Sequence, residues 1–313
     1  MAQGLHRDRI DEIANRLGEY EQVHGQFPGI DLPRRRMCLC EQIVSSIRRI
    51  EYIRQLQLRD ISAERSNPHS SMFDPIKAAI LLLRQGHLDE AVWLTFVQTH
   101  FGKHANDEWK LAKNIYGSFG QGPIWTYQAY TAAPNQFDEM LLRNQPLLSD
   151  MAIAGRFSNH RKYQSKNPLK IARTFQTFQA WQSEFGDFRG RLVDVHKRGG
   201  QEPTQAFHEL YNSMEQVSGF GKGRLGRFDF LTMIGKLELA PIEPGSVYLD
   251  KATGPLLGSR LLFFGDKKYK ITGKRLQARV DALDEFLDVG KQVIEDSLCN
   301  WQKSPDEFVY FRG

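Results

Sequence analysis

The sequence is poor in cysteine, with Cys38, Cys40 and Cys299 the only three in 313 residues. An odd number excludes a fully paired disulfide framework. Cys38 and Cys40 flank a single leucine, which is too tight for a zinc knuckle and wrong for a four-cysteine iron–sulfur loop. Reduced structural thiols are therefore expected, and no cluster of metal-ligand types stands elsewhere. Long apolar runs are also missing, so no segment approaches a membrane span. Residues 1–15 are polar and lack the apolar stretch of a secretion signal. These absences point to the cytoplasm and away from a membrane partner. Strand-like alternation is scarce, and there is no internal repeat or low-complexity segment.

What is abundant is helical periodicity. Hydrophobic residues make up 41% of the chain, enough for a core, in a length that suits one large domain or two modest ones. Ile43, Ile47, Ile50, Ile53 and Leu56 recur at three- and four-residue steps, one face of a helix. A polar stretch with breakers, 59–71, reads as a linker. Asp74-Pro75 then reads as an N-cap followed by proline at the first helical position. Helical segments follow at 76–86, 88–100 and 109–116, and shorter ones continue to Phe185. At the C-terminal end Leu276, Val280, Leu283, Leu287, Gly290, Ile294, Leu298 and Trp301 form one stripe, which predicts a single long helix packed on a core. The only strand material is 246–249 and a pair at 260–264 and 269–272 around Gly265-Asp266. The expected architecture is mainly α, with an N-terminal helical region over 1–70 and a helical core over 71–313.

Lysine and arginine total 42 against 37 acidic residues. The excess is small, but the basic residues are clustered. Arg34, Arg35 and Arg36 are consecutive; His160, Arg161, Lys162 and Lys166 share one stretch; Lys222, Arg224 and Arg227 crowd a glycine-rich turn; and Lys267, Lys268, Lys270, Lys274 and Arg275 form a fourth group. Any one cluster fits a solvated surface, whereas four together suit a polyanionic partner.

The third cluster lies in the most specific local pattern, 204–237. Phe207, Leu210, Tyr211 and Met214 share one face of a predicted helix ending near Gln216. Gly219-Phe220-Gly221-Lys222-Gly223 follows, and a second helix runs from Arg224 to Leu237. This is the layout of a helix–hairpin–helix. Glycines let a backbone turn tightly and approach a phosphate, and amides at a helix start donate to an anion. Phe220 is expected to pin the turn into the core, with Lys222, Arg224 and Arg227 adding charge.

Three further segments resemble a known family. They are Val92–Lys103 with Trp109, Ile115–Gly120 and Trp125; Phe157-Ser158-Asn159-His160-Arg161-Lys162-Tyr163-Gln164-Ser165; and Leu249-Asp250-Lys251-Ala252-Thr253-Gly254-Pro255-Leu256-Leu257-Gly258. Together, over about residues 73–265, they resemble the α-glutamyl/putrescinyl-thymine pyrophosphorylase family, clade 3, itself similar to a diverged branch of the helix–hairpin–helix DNA glycosylases. Within it the chain is similar to anti-phage glycosylases that remove glucosylated hydroxymethyl bases. The resemblance implies DNA as partner, base flipping, hydrolysis of an N-glycosidic bond to leave an abasic site, and no cofactor. No obligate protein partner is implied.

The aspartate at the reacting sugar in such enzymes matches Asp250, with Glu243 in reserve because the spacing from the hairpin to Asp250 is long. The lysine of strand-nicking members falls nearest Gly223, so a monofunctional enzyme is expected. Asn159 and His160 have the chemistry to hydrogen-bond a base edge or the attacking water, and Arg161 and Lys162 suit phosphate. Tyr163, Tyr248, Trp125 and Phe119 form a pool of rings for stacking on a flipped base. The segment Gly117–Tyr130, with Ser118, Gln121, Thr126 and Gln128, has the polar groups and glycines that a roomy base pocket needs. Two other readings share these residues: a transferase that elaborates a phosphorylated 5-hydroxymethyl pyrimidine, and a DNA-binding module without catalysis.

Overall fold

The computed structural model describes residues 6–220 and 223–310. They form a mainly helical protein with no strand among the described residues, only an isolated bridge between His104 and Glu108. No described helix is long and apolar enough to cross a membrane.

Two compact units are present, one containing residues up to Ile53 together with those from Pro244, the other Arg54–Glu243. Composition places a boundary near residue 70; the packing places its boundaries at 53/54 and 243/244. The reason is that the N-terminal helices bury their apolar faces against C-terminal ones, a pairing that no linker composition marks. In the first unit Ile10, Ile13, Leu17 and Tyr20 of the helix Arg7–His24 share a core with Leu276, Val280, Leu283 and Leu287 of the helix Gly273–Leu287. Each such side chain contributes about 1.5–3 kcal/mol on full burial. Cys38 and Cys40 belong to the same core, where burial pushes both thiols up to about 12.

The C-terminal stripe is buried as expected but broken. Helix Gly273–Leu287 stops at Asp288, which is left-handed (φ 50°), and Lys291–Trp301 restarts after Gly290 (φ 85°). The Asp284 carboxylate accepts from the amides of Val289 and Gly290 and fixes the break. Residues 260–264, read as strand, are the last turns of the helix Gly254–Phe264, and Gly265 closes it in the left-handed conformation. Residues 246–249 and 269–272 form no strand either. A short buried apolar run such as Leu261–Phe264 has the same pattern in either structure.

In the second unit the Asp74 carboxylate caps the helix Pro75–Arg84 by accepting from the amides of Ile76 and Lys77, with Pro75 at the first position. The helix Leu88–Phe101 is buried on every side from Ala91 to Phe101. Its threonines are tolerated there because Thr95 donates to the Ala91 carbonyl (2.8 Å) and Thr99 to that of Thr95 (2.7 Å). Aromatic rings surround it, with Phe96 stacked on Phe178 at 3.9 Å and Trp93 edge-on to Phe175.

Candidate nucleic-acid interface

The helix Pro203–Ser213 continues as a 3-10 turn, Met214–Gln216, and the helix Arg224–Lys236 follows the intervening turn. Gly219 is left-handed (φ 75°) and Gly223 stands at the start of the second helix; both are exposed. Gly221 and Lys222 lie outside the described residues. Phe220 is buried among Phe96, Phe178 and Phe230, so the expected apolar pin is in place. Gly226 lets the second helix close onto the turn, since a Cβ there would stand 3.0 Å from Phe220 Cα.

The arginines of this region face inward. Arg227 is fully buried, donates to the Tyr211 carbonyl (2.8 Å) and lies over the Tyr211 ring. Arg224 is 3% exposed and packs over Phe228. Charge at the turn thus serves packing of the unit rather than an open surface at these two positions.

The segment Phe157–Ser165 comes beside this turn. Ser158 donates its amide to the Phe101 carbonyl and packs on Gly102, where a Cβ would collide with the Ser158 hydroxyl. Arg161, expected at phosphate, is buried and fully engaged. It donates from Nε to the Thr99 carbonyl (2.7 Å), from Nη1 to the Tyr163 hydroxyl (3.0 Å) and from Nη2 to Asp229 (2.7 Å) on the second hairpin helix. Gln164 donates to the Gly219 carbonyl (3.1 Å). These bonds join the segment to the turn and hold Asn159, Lys162 and Tyr163 exposed next to it, with His160 half-buried. Asp229 and Gln164 escaped sequence reasoning. Only the opposite charges of Arg161 and Asp229 hinted at the first pairing, across a separation too long to interpret.

Beneath the segment His100 is buried among Phe101, Phe157 and Phe220, and neither ring nitrogen has a hydrogen-bond partner. Burial, assisted by the nearby Arg161 charge, lowers it to about 3.

The other expected residues are more dispersed. Trp125 is 2% exposed and packs edge-on to Phe137, and its carbonyl accepts from Trp93, so its ring is core. Phe119 is half-buried and left-handed (φ 55°), directly after left-handed Ser118, whose hydroxyl donates to the Pro123 carbonyl. An open cleft of about 570 Å³ is lined by Asp89, Glu90, Tyr127 and Gln128, so the segment Gly117–Tyr130 reaches a cavity at its C-terminal end. Burial raises the Glu90 carboxyl even though it accepts from the amides of Tyr127 and Gln128. Glu243 is exposed and lines a second cleft, of about 410 Å³.

Asp250 and Tyr248 belong to the first unit. Tyr248 is half-buried and left-handed (φ 53°), and Asp250 is exposed on the turn after it. One Asp250 oxygen accepts from the Lys274 amide (2.7 Å) at the start of the helix Gly273–Leu287. Gly273 makes that docking possible, because a Cβ there would clash with the Leu249–Asp250 backbone. The carboxylate is thereby fixed in orientation through one oxygen.

A family model described as alpha-glutamyl/putrescinyl thymine pyrophosphorylase clade 3 matches residues 34–313. The chain belongs to this family. The clade 3 match extends well beyond residues 73–265, takes in the whole of the second compact unit and part of the first, and starts inside the helix Pro33–Leu56. No curated protein and no solved structure gives a significant match. The clade 3 name associates the family with modified thymine.

Proposed function

We propose that the protein is a monofunctional DNA glycosylase that hydrolyses the N-glycosidic bond of a modified pyrimidine, in phage DNA and as a defence. The observation that carries this reading is the turn at Gly219-Phe220, pinned by buried Phe220, with the Asn159–Tyr163 segment bonded beside it. As a helix–hairpin–helix, the turn would offer backbone amides to a phosphate without reading sequence. Lys162 and Tyr163 add an exposed cation and an exposed ring.

Chemistry on a base inside a duplex requires flipping it out of the stack. As the bond from C1′ to the base nitrogen breaks, the bonding pair leaves with the base and positive charge builds on the sugar. Asp250, oriented by the Lys274 amide, is assigned to stabilise that charge and to take a proton from the water that attacks C1′. The departing base is neutralised by a proton, and an abasic sugar remains. Asn159 and His160 are assigned to hydrogen bonds with the base or the water.

The family description favours a second reading, in which a pyrophosphate on the base is displaced and the glycosidic bond survives. One experiment separates the two. Purified protein is incubated with unmodified DNA and with DNA carrying glucosylated hydroxymethylcytosine, and abasic sites and released bases are measured. The expected result is base release from the modified DNA alone. Asp250→Asn keeps an oxygen for the Lys274 amide and loses the charge, so release should fall by about 10²–10⁴-fold. Intact glycosidic bonds on this substrate, with a heavier base formed from phosphorylated hydroxymethyl-pyrimidine DNA and an amine, would establish the transferase instead. DNA binding with neither reaction would leave a binding module.

A further inference from the structure

Five arginines of the first three basic clusters are engaged or buried within the protein, although Lys162 stays exposed. Arg35 and Arg36 are paired with Asp306 and Glu21, Arg161 is bonded to Asp229, and Arg224 and Arg227 are buried. The fourth differs. Lys268, Lys270, Lys274 and Arg275 are exposed, and none of these side chains hydrogen-bonds or ion-pairs with a described residue. They occupy the loop after the helix Gly254–Phe264 and the first turn of the helix Gly273–Leu287, tied together where Arg260 donates to the Ile271 carbonyl (2.7 Å). Asp266 and Asp250 are the carboxylates of this surface, and both are occupied with backbone amides, those of Lys268 and Lys274.

An aromatic ring stands among these cations. Tyr269 stacks flat on Phe264 (3.8 Å, 4° between planes) and is 44% exposed. Arg279 lies over Phe264 as well. Cations around a ring with an open face match a nucleic-acid strand, whose phosphates need charge and whose bases need a flat apolar partner. An anionic membrane fits less well, because between residues 265 and 275 Tyr269 alone is a well-exposed large apolar side chain and membrane association needs an apolar face to insert.

We propose that Lys268, Lys270, Lys274 and Arg275, with Tyr269, form a second phosphate-backbone surface, in the unit that carries Asp250 and separate from the glycine turn. The choice of nucleic acid rests on the DNA reading above. The surface would hold the strand on which Asp250 acts.

The test is fluorescence anisotropy of a labelled, unmodified duplex titrated with the full-length protein over a range of salt concentrations. The parent is compared with a Lys268→Gln, Lys270→Gln, Lys274→Gln, Arg275→Gln variant whose melting temperature confirms folding. Loss of four phosphate contacts should lower the slope of log affinity against log salt by about 3–4. At low salt the variant should bind at least about tenfold more weakly. Tyr269→Ala should weaken binding and leave the slope unchanged. Equal affinity and slope for parent and quadruple variant would overturn the surface while leaving the glycosylase reading to its own base-release assay. A parent that binds no duplex at low salt would overturn both. Unchanged DNA binding with loss of binding to phosphatidylserine vesicles would replace nucleic acid with a membrane.

Discussion

At the scale of single residues, burial decides what a charged or polar side chain can do. Arg161 is expected at phosphate, yet its side chain is 4% exposed and bonds inward to Thr99, Tyr163 and Asp229. Arg161→Ala would leave the Thr99 carbonyl and Asp229 without their donor, and should destabilise by about 2–4 kcal/mol in chemical denaturation. Arg161→Lys should recover little, since one ammonium cannot span three acceptors. His100 gives a pH signature. Its folded pKa, about 3, lies below the ordinary 6.5 of an unfolded histidine. The stability associated with the neutral ring is complete above pH 6.5 and is lost as pH falls toward 3, where the unfolded state takes the proton first. The loss is about 1.4 kcal/mol per pH unit within that window. His100→Phe, in a pocket of phenylalanines, should flatten the stability profile between pH 6 and 4. An unchanged slope would show that other groups govern the acid response. None of this was legible in the sequence, because an arginine or histidine next to apolar residues reads the same whether it points inward or outward.

At the scale of elements the sequence was a better guide, for a physical reason. Helix periodicity, caps and glycine stops are local, so Asp74-Pro75 announced a helix that the structure confirms, and both helices flanking the glycine turn could be placed to within a few residues. The errors arose where local pattern is ambiguous. Gly290 fell in register with the C-terminal stripe and concealed a break that the Asp284 side chain creates. Asp284→Ala should therefore cost stability by about 1 kcal/mol, measured as a shift in denaturation midpoint, through loss of two amide partners. Helix crossings were equally hidden. Gly258 meets the Leu298 carbonyl so closely that a Cβ would stand 2.3 Å away. Gly258→Ala should push apart Gly254–Phe264 and Lys291–Trp301 at a cost of about 1–3 kcal/mol.

At the scale of the molecule, the described residues preceding the family match help to build a core. Ile10, Ile13, Leu17, Tyr20, Phe27 and Ile30 all precede residue 34 and all lie in the first unit's core. Arg16 also donates to the Leu287 carbonyl. Deleting residues 1–32 should expose the faces of the C-terminal helices. The truncated protein is expected to be insoluble or to lose the helical signal of that unit in circular dichroism. Retention of full helicity and solubility would show that the first helices are dispensable. The sequence contained every one of these apolar positions, but not their partners, which are separated from them by the whole second unit.

That separation bears on how the chain is made. A ribosome delivers the helices Arg7–His24 and Pro33–Leu56 before the second unit is complete, while the helices they pack against emerge after it. At about 5–20 residues per second, the intervening segment Arg54–Glu243 takes about 10–40 s to synthesise. During that interval the second unit can complete its own core, and the earliest helices wait with their apolar faces uncovered. The helices made before the second unit thus wait longest for their partners, and slow translation between codons 54 and 243 would lengthen that exposure.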